Sequence, residues 1–112
     1  MSHRTPDAIR YYEKAIQLDA EYDIPYNNLG VIYLDTMGDV SKAMDLFQQA
    51  IQLNENYALA YYNLGRSYSF LGNKLEAASY FRQAQQTNKM TRELDNAELE
   101  ERIFKLFNAT PD

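Results

Sequence analysis

The side chains best suited to acid–base chemistry are carboxylates near the C-terminus. The group consists of Asp95, Glu98, Glu100 and Glu101. Acid–base catalysis needs such groups to converge on one point, together with a base or nucleophile. Here they lie in a helical run that also contains arginines, which is typical of a charged, solvated helix face. We therefore expect no catalytic site, no cofactor and no metal, and predict that the chain is not an enzyme.

Other reactive side chains are scarce. The 112 residues include no cysteine, which excludes thiolate nucleophiles and thiolate metal sites, and the one histidine, His3, lies in a polar segment. All four glycines fit turns or helix contacts, so no glycine-rich phosphate loop is expected. A net charge of −5 would repel nucleic acids and anionic membranes. With no apolar stretch of ~20 residues and no secretory signal, a cytoplasmic location is expected.

Two parts of the chain repeat each other. The run YNNLGVIY at 26–33 recurs 35 residues later as YYNLGRSY at 61–68, with five of eight positions identical. The frame Ala-x3-Phe-x2-Ala begins at Ala43 and again at Ala77, and a variant with tyrosine begins at Ala8. Because apolar residues within each unit fall at helical spacing, each unit is predicted to be a pair of helices.

Turn residues and periodicity together set the predicted helices. These cover 6–19, 23–36, 40–53, 57–71, 74–87 and 91–107. Gly38 and Gly72 are predicted to end helices in the left-handed conformation. Gly30 and Gly65 are predicted to let two helix backbones approach closely, with aromatic rings beside them. Hairpins of this kind bury their apolar faces by stacking, which predicts an all-α, right-handed solenoid with a concave side.

This pattern resembles the tetratricopeptide repeat family. The resemblance rests on an aromatic residue, two residues, Leu-Gly, two residues and Tyr, followed by Ala-x3-Phe-x2-Ala, in a period of ~34 residues. It implies one domain, 1–112, made of the second helix of a partial repeat at 6–22, full repeats at 23–56 and 58–91, and a capping helix at 91–107. It also implies a scaffold or adaptor that binds a protein or peptide partner.

The concave surface is where a ligand is expected. In such a stack the first helix of each pair lines that surface. The predicted peptide-binding residues are Ile24, Asn27, Asn28, Val31, Leu34, Asp35, Leu59, Tyr62, Asn63, Arg66, Ser69 and Phe70. The resemblance gives Asn28 and Asn63 special weight, because several family members use a row of such amides to hold an extended peptide backbone. A purely structural role for the two asparagines stays open.

A second binding mode of the family captures acidic C-terminal tails of chaperones with lysines, asparagines and an arginine. The chain matches this clamp poorly. Asn63 fits one position, but Asn27 and Val31 replace a lysine and an asparagine, and Glu93 and Ala97 stand where cations are needed. We therefore do not expect this chain to be a carboxylate clamp.

The two terminal helices offer an alternative to peptide binding. Helix 6–19 lacks the helix with which it would form a hairpin, and helix 91–107 carries more apolar residues, including Phe104 and Phe107, than a cap needs. Apolar surface exposed to water tends to find a cover. Either the chain is a fragment of a longer array that supplies this cover, or another copy of the chain supplies it. The second case is the alternative to peptide binding, a structural module that forms homo-oligomers through these helices.

Overall fold

The computed structural model describes residues 4–91 and 94–108, and all regular structure within these ranges is helical. The helices are α1 (Arg4–Leu18), α2 (Asp23–Asp35), α3 (Val40–Leu53), α4 (Ala58–Phe70), α5 (Lys74–Thr91) and α6 (Asn96–Asn108). The predicted all-α class is confirmed. Contacts group the chain into two compact units, Met1–Glu55 and Asn56–Asp112. The single-domain assignment and its repeat boundaries stay a prediction.

In the first unit, α2 and α3 form an antiparallel hairpin. The middle of α2 meets the middle of α3 where Gly30 lies against the ring of Phe47, and a Cβ at Gly30 would stand 2.5 Å from Phe47 Cε1. At the end of the hairpin away from the α2–α3 turn, Asn54 Nδ2 donates to the Asp23 carboxylate over 2.9 Å. Gly38 turns the chain with a φ of 69°, as predicted. The predicted close approach of the two helices therefore depends on the missing side chain of Gly30.

Helix α1 packs against α2, and this contact covers only part of the apolar surface of α1. The Tyr26 hydroxyl donates to the Ala20 carbonyl over 2.9 Å, which fastens the α1–α2 connection. No residue of α1 is buried, whereas Ala43, Phe47 and Ala50 of α3 are fully buried. The difference arises because α3 has a hairpin partner and α1 has none among the described residues.

The second unit repeats the hairpin with α4 and α5. Gly65 lies against Phe81, whose ring would stand 2.5 Å from a Cβ at that position. Gly72 has a φ of 82°, and the neighbouring backbone N–H groups of Gly72 and Asn73 donate to the Ser69 and Tyr68 carbonyls over 3.0 and 2.9 Å. These bonds satisfy the last carbonyls of α4, as in a Schellman motif.

Helix α6 closes the core of the second unit. Its residues Leu99, Ile103 and Leu106 pack with Phe81 and Ala84 of α5. Three apolar side chains of α6 therefore cover part of the second hairpin, whereas Phe107 is 49 % exposed.

The boundary between α5 and α6 differs from the prediction. Helix α5 runs to Thr91 instead of 87, because neither glycine nor proline interrupts it. Helix α6 begins at Asn96 instead of 91, because Asp95 caps it and accepts from the Ala97 N–H over 2.9 Å. Residues 92 and 93, which fall within the predicted last helix, lie outside the described residues.

Candidate functional site

One face of α2 carries four of the predicted ligand-binding residues. Ile24, Asn28, Val31 and Asp35 follow one another at i, i+4, i+7 and i+11, and each is exposed or half-buried. Two apolar side chains thus alternate with an amide and a carboxylate. Such a face can bury apolar groups of a partner while it hydrogen-bonds the partner's backbone.

Two further predicted residues of α2 are less accessible than these four. Asn27 and Leu34 are seven residues apart and lie along one flank of this face, where they are 1 % and 5 % exposed. The Asn27 amide donates to Asn28 Oδ1 at 3.5 Å, a long and weak contact. Both side chains are buried, so neither offers contact area to a partner. This corrects the prediction that they lie on the accessible binding surface.

The corresponding face of α4 is richer in large side chains. Leu59, Tyr62 and Arg66 are half-buried, whereas Ser69 and Phe70 are exposed. Phe70, the last residue of α4, is 69 % exposed, so most of its ring is accessible to a partner. This face therefore combines an apolar ring, a phenol and a guanidinium.

Asn63, the repeat equivalent of Asn28, lies on this face between Leu59 and Arg66 but is buried. It is 2 % exposed, and its Oδ1 accepts from Arg66 Nη1 over 3.2 Å. Its backbone carbonyl accepts from the Ser67 hydroxyl over 2.8 Å. The structure thus gives Asn63 the task of orienting Arg66, and the predicted row of two equivalent amides is reduced to Asn28 at the surface.

Tyr62 is held by two α6 residues that were not predicted to belong to the site. Its hydroxyl donates to Glu98 Oε1 over 3.2 Å, and the Arg102 guanidinium lies 5.3 Å from its ring centroid. Burial raises the pKa of Tyr62, an effect that Arg102 and Arg66 oppose and Glu98 reinforces. The sequence signal that could have indicated this contact is the alignment of α6 with α4 at an offset of 35 residues.

A small cavity adjoins this face within the second unit. It has a volume of about 170 Å³ and is lined by Ser69, Phe81, Arg102, Lys105 and Leu106. Both of its cations have carboxylate neighbours one turn away, Glu98 at 3.5 Å and Glu101 at 2.9 Å. Both cations of the cavity are therefore already paired within α6.

The C-terminal carboxylates have structural partners. Asp95 caps α6, Glu98 accepts from Tyr62, Glu100 accepts from Gln85 Nε2 over 2.6 Å, and Glu101 pairs with Lys105. Hydrogen bonding and attraction by Lys105 lower the pKa of Glu101. Within residues 4–91 and 94–108, no cluster of three or more His, Cys, Asp or Glu side chains could hold a metal ion. Nor does that part of the chain contain a helix long and apolar enough to span a membrane.

Comparison with known proteins shows which family and which fold the chain resembles. A family model described as TPR repeat matches residues 37–72, and one described as Tetratricopeptide repeat matches residues 58–89. The solved structure of MamA protein is 30 % identical over 83 % of this chain and 51 % of its own, with a TM-score of 0.69. No curated protein matches the chain.

Two further solved structures share the fold at lower identity. YrrB, titled a TPR protein with an unusual peptide-binding site, is 24 % identical over 86 % of this chain and 46 % of its own, with a TM-score of 0.76. The first TPR of Spaghetti (RPAP3), bound to the HSP90 peptide SRMEEVD, is 22 % identical over 95 % and 79 %, with a TM-score of 0.82. The chain spans about half the length of the MamA and YrrB structures. Repeat spacing, hairpin packing, family matches and fold agree, and the chain belongs to the tetratricopeptide repeat family.

Proposed function

We propose that the chain is a non-catalytic interaction module that binds a peptide or an extended segment of a partner protein through the exposed faces of α2 and α4. The observation that carries the proposal is Phe70, a large apolar ring 69 % exposed on the α4 face that also presents Tyr62 and Arg66. Aromatic and arginine side chains are enriched among residues that dominate binding energy. Their alignment on one face supports a binding role.

The α2 face supports the same role with different chemistry. Ile24 and Val31 supply apolar contact area, and Asn28 supplies an amide that both donates and accepts. An amide placed between apolar side chains can hold a peptide backbone while its neighbours select side chains. Two separate faces are proposed, one on α2 with Ile24, Asn28, Val31 and Asp35, and one on α4 with Leu59, Tyr62, Arg66, Ser69 and Phe70. Asn63 acts through Arg66.

The kind of ligand is supported by the related proteins. YrrB has a peptide-binding site and the RPAP3 domain binds SRMEEVD. Here Val31 stands at a position where a carboxylate clamp has a polar side chain, Ala97 stands where it has a cation, and Asn27 is buried. Glu93, also at a clamp position, lies outside the described residues. We therefore propose a peptide ligand other than an acidic chaperone tail, and a partner that is neither nucleic acid nor membrane, in the cytoplasm.

The test is peptide selection followed by matched substitutions. Peptides selected from a displayed random library on the unaltered chain are synthesised with a fluorophore, and their affinities are measured by anisotropy. Phe70→Ala and Ile24→Ala remove apolar anchors from α4 and α2. Leu75→Ala and Leu53→Ala remove exposed apolar side chains from α5 and α3, outside both proposed faces, and serve as matched controls.

We expect Phe70→Ala to weaken binding of a selected peptide about tenfold or more, with a smaller loss for Ile24→Ala and no loss for the controls. Circular dichroism verifies that each variant keeps its helical content. SRMEEVD, tested in parallel, is expected to bind no better than a scrambled peptide. Equal losses in the controls, or unchanged affinity in both test variants, would place the binding surface elsewhere.

A further inference from the structure

Helix α1 presents a continuous stripe of exposed side chains. Asp7, Tyr11, Lys14 and Leu18 follow one another at i, i+4, i+7 and i+11, and Tyr11 and Leu18 are 70 % and 78 % exposed. With Arg10 and Ala15 they line a hollow of about 420 Å³. Leu46, the repeat equivalent of Tyr11, is buried in α3. The stripe on α1 therefore includes surface that a complete hairpin covers.

Helix α6 presents a stripe with the same spacing. Ala97, Glu101, Phe104 and Asn108 also follow one another at i, i+4, i+7 and i+11, and all four are exposed. They lie opposite Leu99, Ile103 and Leu106, the residues that pack into the second unit. Phe104, at 64 % exposure, is the largest apolar group on this side of the helix.

The two stripes are complementary when the helices run antiparallel. Because the spacing of four, three and four residues reads the same in both directions, each position of one stripe meets one position of the other. The facing pairs are Ala97 with Leu18, Glu101 with Lys14, Phe104 with Tyr11, and Asn108 with Asp7. Apolar groups meet apolar groups, a carboxylate meets an ammonium, and a ring meets a ring.

We propose that α6 of one copy of the chain docks antiparallel on α1 of a second copy. Other pairings of the same stripes are worse matched. Two α1 helices would place Asp7 against Leu18, and two α6 helices would place Glu101 against Phe104. A parallel arrangement of α1 and α6 would place Lys14 against Phe104 and Tyr11 against Glu101. Only the antiparallel α1–α6 pairing joins opposite charges and apolar groups at once.

The register of the proposed α1–α6 contact differs from that of a repeat hairpin. Within the chain, Gly30 and Gly65 receive the rings of Phe47 and Phe81. At the equivalent position α6 has Glu100, whose side chain leaves no room for a ring in the same geometry. The contact is therefore made by the outward stripe centred on Glu101 and Phe104, and it does not form a further repeat of the same kind.

The contact joins two different surfaces, so each bound pair of copies leaves one α1 and one α6 available. Such heterologous contacts produce rings if the rotation closes and open chains if it does not. A single helix pair buries less than the ~1,200 Å² of a standard interface, so the association is weak and is sought at roughly millimolar chain concentration. The intrachain pairs of Asp7 with Arg10 and of Glu101 with Lys105 are exposed and weak, and can exchange partners.

The test uses charge reversal in the whole chain, with mass measured by sedimentation equilibrium across a concentration series. Lys14→Glu places two carboxylates face to face, and Glu101→Lys places two ammonium groups face to face. Lys74→Glu and Glu13→Lys make the same charge changes at exposed positions outside both stripes. Circular dichroism verifies that each variant retains its helical content.

We expect the average mass of the unaltered chain to rise above 13.1 kDa with concentration. The Lys14→Glu and Glu101→Lys variants should each stay near the monomer mass alone, and an equimolar mixture of the two should regain the rise because every contact between them is again attractive. The control variants should behave like the unaltered chain. A constant monomer mass, single variants that associate normally, or a mixture that stays monomeric would each overturn the proposal.

Discussion

The side chain of Asn88 exchanges two hydrogen bonds with the backbone of Leu94. Asn88 Nδ2 donates to the Leu94 carbonyl over 2.6 Å, and the Leu94 N–H donates to Asn88 Oδ1 over 2.7 Å. Asn88 Nδ2 also donates to Asn96 Oδ1 over 2.9 Å, at the start of α6. One buried amide thereby fixes the connection between α5 and the helix that holds Tyr62 in place.

Asn88→Ala should loosen α6 from the second unit. The change removes the partner of the Leu94 backbone at a buried position, which typically costs about 1 to 3 kcal/mol in the free energy of unfolding. Urea denaturation measures the loss of stability. Hydrogen exchange should show the largest increase in exchange rate at the backbone amides of α6. Gln86→Ala, at an exposed position two residues earlier, is the control and should stay within about 0.5 kcal/mol of the unaltered chain. Equal effects of the two changes would contradict this role.

Gly65→Ala should destabilise the chain although alanine is the better helix former. Alanine gains about 1 kcal/mol in helix propensity, but its Cβ would lie 2.5 Å from the Phe81 ring, and overpacking of this kind costs about 1 to 3 kcal/mol. We expect a net loss in thermal and urea unfolding. Phe81→Leu in the same chain should relieve the clash, so that the double change costs less than the sum of the single changes. A Gly65→Ala variant as stable as the unaltered chain would show that the ring can move aside.

Repeat spacing was sufficient to predict the helices and their pairing. Each glycine is followed 16 or 17 residues later by a phenylalanine, and the pair recurs after 34 to 35 residues. This spacing predicts a packing contact, and Gly30 and Gly65 indeed meet Phe47 and Phe81. The connection from α5 to α6 was not predictable in the same way. It is fixed by Asn88, whose side chain makes contacts six and eight residues ahead that no periodic pattern contains.

The accessible surface was predicted less well, because equivalent positions in two repeats have different neighbours. Asn28 is half-buried, whereas Asn63 is buried and accepts a hydrogen bond from Arg66. Val31, the equivalent of Arg66 in α2, has no polar side-chain group that could make this bond. Asn27 is buried whereas Tyr62 reaches out to Glu98. The exposure of a side chain depends on its size and on the residue one turn away. The repeat pattern predicts neither.

Asn28→Ala and Asn63→Ala should therefore have different effects. Asn63→Ala removes a buried amide that orients Arg66 and should lower the free energy of unfolding by about 1 to 2 kcal/mol. Asn28→Ala, at a half-buried position, should change it by less than about 0.5 kcal/mol while weakening a selected peptide. Urea denaturation and peptide anisotropy on both variants separate the two roles. If Asn28→Ala proved the more destabilising change, the structural and ligand-binding assignments would have to be exchanged.

The stability of the chain should fall as pH rises above about 10, because of two tyrosines in the second unit. Burial raises the pKa of Tyr62 and of Tyr80 above the value of 10.0 for an exposed phenol, and Tyr68, stacked on Tyr80 at 5.4 Å, reinforces the second shift. The unfolded chain then loses these protons before the folded chain does. The stabilisation is complete below pH 10.0 and is lost as pH rises through the folded pKa values.

Urea unfolding at a series of pH values between about 8 and 11 measures this dependence. The double variant Tyr62→Phe with Tyr80→Phe keeps both rings and removes both ionisable groups, so its stability should decline less steeply across the same range. Tyr11→Phe, at a ring 70 % exposed, is the matched control and should decline like the unaltered chain. If the double variant declined as steeply as the control, the alkaline loss of stability would have to come from other groups, and the half-buried phenols of α4 and α5 would not be its source.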